Sequence, residues 1–299
     1  YPLILGHEFS GEIVGVGAGA EPSLIGKRGT FFPCIPCRKC SSCETGNFAM
    51  CLDYDYLGSR SDGGFAEFCR IPSSWHFVAS ENPKMSMAAL AMVEPATVAQ
   101  HALRQGNVKA GDSVMIFGAG PIGIMVARWA RIFGAQLVLL VDIVNEKVKF
   151  AAERGLGVIN SSKQDTLEEV IRLTKGRMMD VVIEGTGSTS GLNSSIDCVR
   201  TFGTVVMLGN SSKDTTIAYK QHSNILRKEL NIKGVWNSYY ASMPMNEWKY
   251  TVEMLDNGML RVEDLISHQS DIDGLPELCE DIYKRRVTIC KAMYSTEKN

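Results

Sequence analysis

Short apolar runs alternate with amphipathic segments through the middle of the chain. The runs are four to eight residues long, rich in β-branched side chains, and typical of strands buried on both faces. They are SVMIF, LVLLVD, GVIN, DVVIEGTG, GTVVMLGN and NIKGVW. Between them, TLEEVIRLTKG and STSGLNSSIDCVRTFG have the apolar spacing of helices. The alternation predicts an α/β domain with a doubly wound parallel sheet of six strands.

The regions on either side of this domain have a different pattern. Before it, glycine and proline interrupt short strand-like stretches such as GEIVGVGAG, KRGTFFP and GGFAEFCRIP, which predicts an irregular β-domain. After it, the chain is too short to form a domain of its own. We therefore predict a dinucleotide-binding domain over residues 96–239 and a second domain formed by residues 1–95 together with 240–299.

Composition narrows the function classes. The 299 residues are 45% hydrophobic with a formal net charge of -2. The chain therefore lacks the excess of basic residues that would indicate a nucleic-acid partner. No apolar run has the length of a membrane span, and we expect no membrane partner. The nine cysteines are odd in number and form only one cluster, which argues against a secreted disulfide framework and favours a reducing cytoplasm.

That cluster, CIPCRKCSSCETGNFAMC, predicts a metal site in a lobe over about residues 34–52. Cys37, Cys40 and Cys43 repeat a two-residue spacing that brings sulfurs to one point, and Cys51 follows after seven residues. Four thiolates complete the closed tetrahedral shell of a structural zinc ion. Cys34 lies at the same spacing before Cys37, so a set with Cys34 in place of Cys51 is the alternative. A redox-active pair of thiols is a further alternative.

The stretch SVMIFGAGPIGIMVARWA predicts a nucleotide-binding loop between a strand and a helix. Gly118, Gly120 and Gly123 have the G-x-G-x-x-G spacing, in which the glycines allow the turn, the approach of a pyrophosphate and close packing. Asp142 ends the next strand about 20 residues later, where a carboxylate accepts ribose hydroxyls and repels a 2′-phosphate. We therefore predict NAD, although Lys147 nearby leaves NADP open. A glycine-rich turn without a ligand is the alternative.

Four more residues complete the predicted nucleotide site. Pro121 and Ile122 open the helix whose N-terminus faces the phosphates. Thr186 and Leu208 follow the fourth and fifth strands, at the edge where open α/β sheets bind ligands.

The chain resembles the zinc-dependent medium-chain dehydrogenases along almost its whole length. The resemblance is carried by GHEFSGEIVGVG, the cysteine cluster, EPATVAQHAL, GAGPIG and VVIEGTG. It implies a GroES-like catalytic domain beside a Rossmann domain, NAD as cofactor, and two zinc ions per complete chain, one structural and one catalytic. It also implies a homodimer or homotetramer.

The same resemblance assigns the catalytic residues. His7, in GHE, is the family's zinc ligand, and the adjacent Glu8 completes the shell or exchanges with water. Glu94 matches the position where polyol dehydrogenases have a glutamate ligand. In the family, a further cysteine ligand and a hydroxyl residue that relays the proton lie upstream of GHE. We expect both to precede Tyr1.

Within the family, YDYLGSRSDGGFAEF and NILRKELNIKGVW are most similar to the galactitol-1-phosphate 5-dehydrogenases. This implies oxidation of a secondary alcohol of a polyol or polyol phosphate, with galactitol 1-phosphate giving tagatose 6-phosphate. We expect Arg60, helped by Lys228, to bind the substrate phosphate. Sorbitol, butanediol and threonine 3-dehydrogenases are alternatives. A metal-free quinone reductase and a non-catalytic NAD-binding redox sensor are two further alternatives.

Overall fold

The computed structural model describes residues 2–296, and the chain divides into two compact units. The first unit takes Tyr1–Thr97 and Asn237–Asn299, and the second takes Val98–Trp236. No helix within residues 2–296 combines the length and the apolar content needed to cross a membrane.

The first unit begins with short strands separated by long irregular connections. Its first strands are β1 (Ser10–Glu12), β2 (Arg28–Phe31), β3 (Cys34–Ile35), β4 (Asp55–Tyr56) and β5 (Phe77–Ala79). Its first helices are α1 (Ser41–Glu44), α2 (Met87–Ala91) and α3 (Val93–Gln105), the last of which continues into the second unit. Strands β1, β2 and β5 form an antiparallel sheet in the order β1-β2-β5. Strands β3 and β4 form a separate antiparallel pair that encloses the cysteine-rich segment.

The second unit is the regular one. Its strands are β6 (Ser113–Phe117), β7 (Leu137–Asp142), β8 (Gly157–Asn160), β9 (Met179–Glu184), β10 (Val199–Met207) and β11 (Asn231–Gly234). Its helices are α4 (Pro121–Ile132), α5 (Asn145–Ala152), α6 (Thr166–Thr174), α7 (Thr189–Cys198) and α8 (Tyr219–Arg227). The six strands are parallel in the order β11-β10-β9-β6-β7-β8, which confirms the predicted doubly wound sheet. The strand order reverses between β6 and β9, the place where such sheets bind ligands at the carboxyl ends of their strands.

The chain then returns to the first unit through α9 (Glu247–Asp256), β12 (Ile266–Ser270), α10 (Leu275–Tyr283) and β13 (Lys291–Tyr294). Aromatic packing holds this return segment to the earlier part of the unit. The rings of Phe32 and Tyr240 stack with centroids 4.1 Å apart, and the Tyr240 hydroxyl donates to the Trp75 carbonyl at 2.6 Å. Trp248 packs edge-on against Phe32. Aromatic pairs of this kind stabilise a core by more than the burial of their apolar area alone. The irregular unit therefore has a well-packed aromatic core.

Two expectations about the second unit were wrong. The stretch NIKGVW was predicted as a buried strand, but every residue of β11 is exposed because β11 is the edge strand of the sheet. The helix predicted over STSGLNSSIDCVRTFG ends at Cys198, and its last residues open β10 instead. The β-branched Val199 and Thr201 favour a strand there, and strand pairing overrides the helical spacing.

Candidate active site and metal centres

The structure brings together four cysteine sulfurs in the lobe between β3 and β4. The Sγ atoms of Cys37, Cys40, Cys43 and Cys51 all lie within 4.8 Å of one another. The backbone N–H of Cys37 donates to the Cys51 sulfur at 3.2 Å. Backbone N–H groups of Leu52 and Cys43 lower the pKa of Cys40 to about 6, whereas burial raises the pKa of Cys43 to about 12. Four convergent sulfurs with N–H donors fit the closed tetrahedral shell of structural zinc.

Cys34 does not take part in this cluster. Its side chain is buried, and its sulfur lies 3.7 Å from the Phe48 carbonyl. Burial and the nearby Cys51 raise the pKa of Cys34 to about 12, which keeps it a neutral thiol. Of the two sets that the spacing allows, the fold therefore assembles the one that contains Cys51.

A second cluster lies in the same unit and has different donors. One nitrogen of His7 and one carboxylate oxygen each of Glu8 and Glu94 lie within 4.8 Å of one another. Glu94 sits in the first turn of α3, and His7 precedes β1. Burial and the neighbouring Glu8 raise the pKa of Glu94 to about 8. Two carboxylates and an imidazole crowded at a buried point are a donor set that a divalent cation would stabilise, because it would neutralise their mutual repulsion.

A loop made of glycines fixes the segment that carries His7. The N–H groups of Gly63, Gly64 and Phe65 donate to the carbonyls of residues 4–6 at 2.8 to 2.9 Å. A Cβ on Gly58 would lie 2.1 Å from the Gly6 carbonyl oxygen, and one on Gly63 would lie 2.2 Å from it. Only glycine permits backbones to approach this closely, so the glycines set the position of the histidine.

Two further residues at this cluster were not predicted from the sequence. Lys291, at the start of β13, forms an ion pair with Glu8. Tyr56, at the end of β4, packs edge-on against the His7 ring with centroids 5.7 Å apart. Nothing near Lys291 in the sequence marks it as a site residue. For Tyr56, the only available signal was that YDYLGSRSDGG is a stretch that carries the family resemblance.

The glycine loop of the second unit has the geometry of a nucleotide cradle. Gly118 follows β6 with a φ of +103°, a conformation that favours glycine, and a Cβ on Gly123 would lie 1.9 Å from the Gly118 carbonyl oxygen. A Cβ on Gly120 would meet nothing within 4 Å, so the side facing the N-terminus of α4 is open. Pro121 and Ile122 form the first turn of that helix, where phosphates bind.

Asp142 lies at the carboxyl end of β7, beside this loop. Its two carboxylate oxygens accept hydrogen bonds at 2.9 Å from the backbone N–H groups of Ala119 and Val144. The carboxylate is thereby held next to the glycine loop, with lone pairs remaining for ribose hydroxyls. Lys147 lies in α5, which starts at Asn145.

Glu184 organises the loops that carry Thr186 and Leu208, and sequence reasoning gave it no role. Its buried carboxylate accepts hydrogen bonds from the Thr186 backbone N–H at 2.8 Å and from the Thr186 hydroxyl. Its carbonyl accepts from the backbone N–H groups of Leu208 and Gly209 at 2.9 and 2.8 Å. One residue at the end of β9 therefore joins the ends of the fourth and fifth strands.

The two residues expected at the substrate phosphate have different surroundings. The exposed Arg60 guanidinium stacks 4.0 Å above the Tyr54 ring, and its Nη1 donates to the Tyr54 carbonyl at 2.8 Å. Lys228 lies in the second unit, where its Nζ donates to the carbonyls of Ile196, Asp197 and Val199 at 2.9 to 3.2 Å. The expectation that Lys228 helps to bind phosphate was wrong, because the ammonium caps the end of α7 and its three donors are already used.

Comparison with known proteins identifies the family. The alcohol dehydrogenase GroES-like domain family matches residues 1–81, and the zinc-binding dehydrogenase family matches residues 121–257. The galactitol 1-phosphate 5-dehydrogenase of Escherichia coli is 31% identical over 283 residues, which are 94% of this chain and 81% of that enzyme. The chain belongs to the zinc-dependent alcohol dehydrogenase family. The D-xylulose reductase A of Aspergillus oryzae is 32% identical over 89% of this dehydrogenase and 73% of its own length.

Solved structures that match this chain confirm the architecture, a GroES-like domain and a Rossmann domain. The crystal structure of galactitol-1-phosphate dehydrogenase from Escherichia coli matches with a TM-score of 0.89 and 30% identity, covering 97% of this dehydrogenase and 83% of that chain. An alcohol dehydrogenase from Escherichia coli complexed with NADH matches with a TM-score of 0.85 and 26% identity, covering 98% and 83%. A zinc-binding dehydrogenase from Sinorhizobium meliloti bound to NADP matches with a TM-score of 0.84 and 27% identity, covering 93% and 79%.

Proposed function

We propose that this dehydrogenase oxidises a secondary alcohol of a polyol phosphate with NAD, and that its substrate is galactitol 1-phosphate, which it converts to tagatose 6-phosphate. The observation that carries the proposal is the cluster of His7, Glu8 and Glu94 within 4.8 Å, in a unit that has a separate four-cysteine cluster. A closed thiolate shell serves structure, whereas a mixed nitrogen and oxygen donor set leaves room for a substrate oxygen. The family membership and the similarity to galactitol 1-phosphate 5-dehydrogenase support the same reaction.

In this proposal each cluster holds one zinc ion. Cys37, Cys40, Cys43 and Cys51 hold the structural ion, and His7 and Glu94 hold the catalytic one. When bound, the catalytic zinc supplies a Lewis acid that lowers the pKa of the substrate hydroxyl toward about 7. Glu8 either joins the shell or stays with Lys291. The substrate would lose its hydroxyl proton to solvent and a hydride from the carbinol carbon to NAD, and the products are a ketone, NADH and a proton.

Asp142 supports the choice of NAD over NADP. Its carboxylate is fixed beside the glycine loop by two backbone hydrogen bonds, where it would accept the ribose hydroxyls and repel a 2′-phosphate. Lys147, in the following helix, is the group that would favour NADP. Gly120 would face the pyrophosphate, while Gly118 provides the turn and Gly123 the close packing behind it. Thr186 and Leu208 would lie at the nicotinamide.

Arg60 is the residue that we propose for the substrate phosphate. Stacking on Tyr54 holds the plane of its guanidinium, and Nη1 is the nitrogen that bonds to the Tyr54 carbonyl. The exposed part of the guanidinium is suited to a bidentate contact with phosphate oxygens. Replacing Arg60 with alanine should then raise KM for galactitol 1-phosphate far more than KM for galactitol. Equal increases for both substrates would remove Arg60 from the site.

Two further features extend the proposal to assembly and compartment. The exposed edge strand β11 presents unpaired backbone groups, and Ile232 and Trp236 at this edge are partly exposed, which supports a homodimer or homotetramer. The nine cysteines are free thiols in the structure, and such a thiol-rich chain suits the reducing cytoplasm.

One experiment separates these possibilities. Elemental analysis of the full-length protein should find two zinc ions per chain, and an assay with NAD or NADP against a panel of polyols and polyol phosphates should show NAD-dependent turnover. A zinc content of one or none would overturn the catalytic centre. Turnover of sorbitol, butanediol or threonine in preference to galactitol 1-phosphate would assign another substrate within the family, and preference for NADP would overturn the role of Asp142. Nucleotide binding without any turnover would indicate the redox-sensor alternative.

A further inference from the structure

A buried carboxylate lies directly beneath the exposed loop that follows β9. Glu184 is the last residue of β9 and is 2% exposed, whereas Gly185 and Thr186 after it are exposed. Its Oε1 accepts from the Thr186 backbone N–H at 2.8 Å and from the Thr186 hydroxyl. Its Oε2 accepts from the Gly187 backbone N–H at 3.1 Å. A buried carboxylate is stable only when such donors surround it, so the carboxylate and the loop fix each other.

The hydroxyl groups that follow in the chain extend this arrangement to the next helix. The Thr186 hydroxyl gives its proton to Glu184, so its oxygen accepts from the Ser188 hydroxyl at 2.8 Å and from the Ser188 backbone N–H at 3.2 Å. The Ser188 hydroxyl oxygen accepts in turn from the backbone N–H of Gly191, in the first turn of α7, at 3.0 Å. The loop is therefore held from Glu184 to the start of α7.

The inward direction of two N–H groups determines what this loop presents to a ligand. The peptide bonds of the loop are trans, and in a trans peptide the carbonyl is directed opposite to the N–H of the same unit. The N–H groups of Thr186 and Gly187 are directed at the buried carboxylate, so the carbonyls of Gly185 and Thr186 are directed away from it. The loop therefore offers hydrogen-bond acceptors, which suit the amide and hydroxyl donors of a nicotinamide riboside and do not suit a phosphate.

Glu184 also holds the loop that follows β10. Its carbonyl accepts from the backbone N–H groups of Leu208 and Gly209 at 2.9 and 2.8 Å. A Cβ on Gly209 would lie 2.8 Å from the Thr186 nitrogen, so the two loops lie in contact. The side chain of Glu184 thus fixes the first loop and its backbone fixes the second, at the edge of the sheet where ligands bind.

We propose that Glu184 is a positioning residue for the nicotinamide half of the nucleotide: its carboxylate holds residues 185–187 so that their carbonyls are available to the nicotinamide riboside. The adenosine half is assigned to the glycine loop and to Asp142, whose carboxylate is held by Ala119 and Val144 instead. Loss of the Glu184 carboxylate should therefore weaken binding of one half of the nucleotide and not of the other. This inference rests on the proposed use of NAD and adds a residue to it.

The test compares Glu184→Gln with wild type and measures nucleotide binding rather than turnover. Glutamine has a similar size, but one carboxylate oxygen becomes an NH₂ group. Whichever way that amide is turned, its NH₂ faces the N–H of Thr186 or that of Gly187, so the loop has to move. The Kd of NADH, measured by its fluorescence, should rise by about 10- to 100-fold, the range for one lost hydrogen bond to a charged group. The Kd of ADP, which lacks the nicotinamide riboside, should stay unchanged.

Asp180→Asn is the matched control, because Asp180 is a buried carboxylate near the other end of the same strand. It accepts from the Ser113 backbone N–H and hydroxyl at 2.8 and 2.7 Å and pairs with Arg200 at 2.6 Å. Removing either carboxylate should lower Tm. Asp180→Asn should leave the Kd of NADH and of ADP unchanged, which separates positioning from general destabilisation.

A second variant reaches the same contact from the side of α7. Gly191→Ala keeps every donor and acceptor, and alanine favours a helix, but its Cβ would lie 2.6 Å from the Glu184 carboxylate. It should weaken NADH binding in the same direction and leave ADP binding unchanged, and it tests the inference even if Glu184→Gln does not fold. Wild-type NADH affinity in the folded variants, or equal weakening of NADH and ADP, would overturn this inference alone. A wild type that does not bind NADH would overturn both it and the proposed function.

Discussion

The two candidate metal-binding clusters of the first unit are assembled in opposite ways. The four cysteines come from one short segment between β3 and β4, whereas His7 and Glu94 lie far apart in the sequence and meet only when the unit has folded. The ligand atoms of the two clusters differ as well. Soft thiolates close a shell around zinc, and an imidazole with carboxylates forms a harder and more exchangeable site. The four-cysteine cluster, here called the local cluster, can therefore stabilise the fold. The cluster of His7, Glu8 and Glu94, here called the distributed cluster, depends on that fold.

The largest expected effect comes from breaking the local cluster. Cys43→Ser should abolish binding of the structural zinc and lower the free energy of unfolding by about 4 kcal/mol or more, because loss of a structural metal is among the most destabilising changes. Because Tyr56 follows the lobe and packs against the His7 ring, the second zinc should be bound more weakly as well. Zinc content and thermal unfolding measure both effects.

Cys34→Ser is the matched control for this prediction. Cys34 is buried in the same lobe but lies outside the four-sulfur cluster, so this variant should keep two zinc ions. If Cys34→Ser lost the structural zinc while Cys51→Ser kept it, the alternative cysteine set would be correct.

Breaking the distributed cluster should abolish activity and leave the fold intact. Glu94→Gln keeps the size of the side chain, but it removes the charge that balances the ion. A lost Lewis acid is worth several kcal/mol, so kcat/KM should fall by about 10³-fold while NAD binding and the cysteine-bound zinc persist. Glu81→Gln, on an exposed glutamate of the same unit, should have normal kinetics. Near-normal turnover by Glu94→Gln would exclude Glu94 as a ligand.

The same contrast explains what could be predicted from the sequence. The cysteine lobe and the glycine loop were predicted because their residues are close together in the chain, where spacing alone determines geometry. Tyr56 and Lys291 were missed because they reach the cluster through the pairing of β3 with β4 and through the return segment. No local pattern marks either contact.

Lys228 is the opposite case, a residue that was expected at the substrate phosphate but is engaged elsewhere. Its sequence neighbourhood carries the family resemblance, yet its ammonium caps the end of α7. The exposure of β11 was missed for a related reason: the apolar pattern of NIKGVW cannot distinguish a central strand from an edge strand, because strand order is a property of the whole sheet. The six strands themselves were predictable, since each has its own apolar run.

A milder change tests whether the distributed cluster depends on close backbone packing. In Gly58→Ala the new Cβ would lie 2.1 Å from the Gly6 carbonyl oxygen, at a residue whose φ is +80°. Overpacking and the unfavourable backbone conformation together should cost about 2–4 kcal/mol of unfolding free energy and displace the segment that carries His7. The second zinc should therefore be weakened while the cysteine-bound zinc remains.

Gly15→Ala provides the control for that substitution, because a Cβ at Gly15 would meet nothing within 4 Å. It should leave both zinc ions and the unfolding free energy nearly unchanged. If Gly58→Ala also bound both ions with wild-type affinity, the glycine loop would not be what positions His7.

The smallest expected effect concerns Lys291 and has the opposite sign. Its ammonium pairs with Glu8 and stabilises the ionised form of Glu94, so it competes with a cation for the same carboxylates. Lys291→Ala should bind the second zinc more tightly, by up to about fivefold, since a partly exposed ion pair contributes up to about 1 kcal/mol. Lys284→Ala removes another ion-paired lysine of the first unit, whose partner is Glu280, and should not change zinc affinity.

The role of Glu8 can be tested by combining Lys291→Ala with Glu8→Gln. If Glu8 is a ligand, Glu8→Gln should weaken zinc, and adding Lys291→Ala should then increase affinity less than it does alone. If Glu8 only neutralises Lys291, Glu8→Gln should weaken zinc because the lysine is left unpaired, and the double variant should regain at least wild-type affinity. Weaker zinc binding by Lys291→Ala would mean that the lysine supports the centre instead of competing with it.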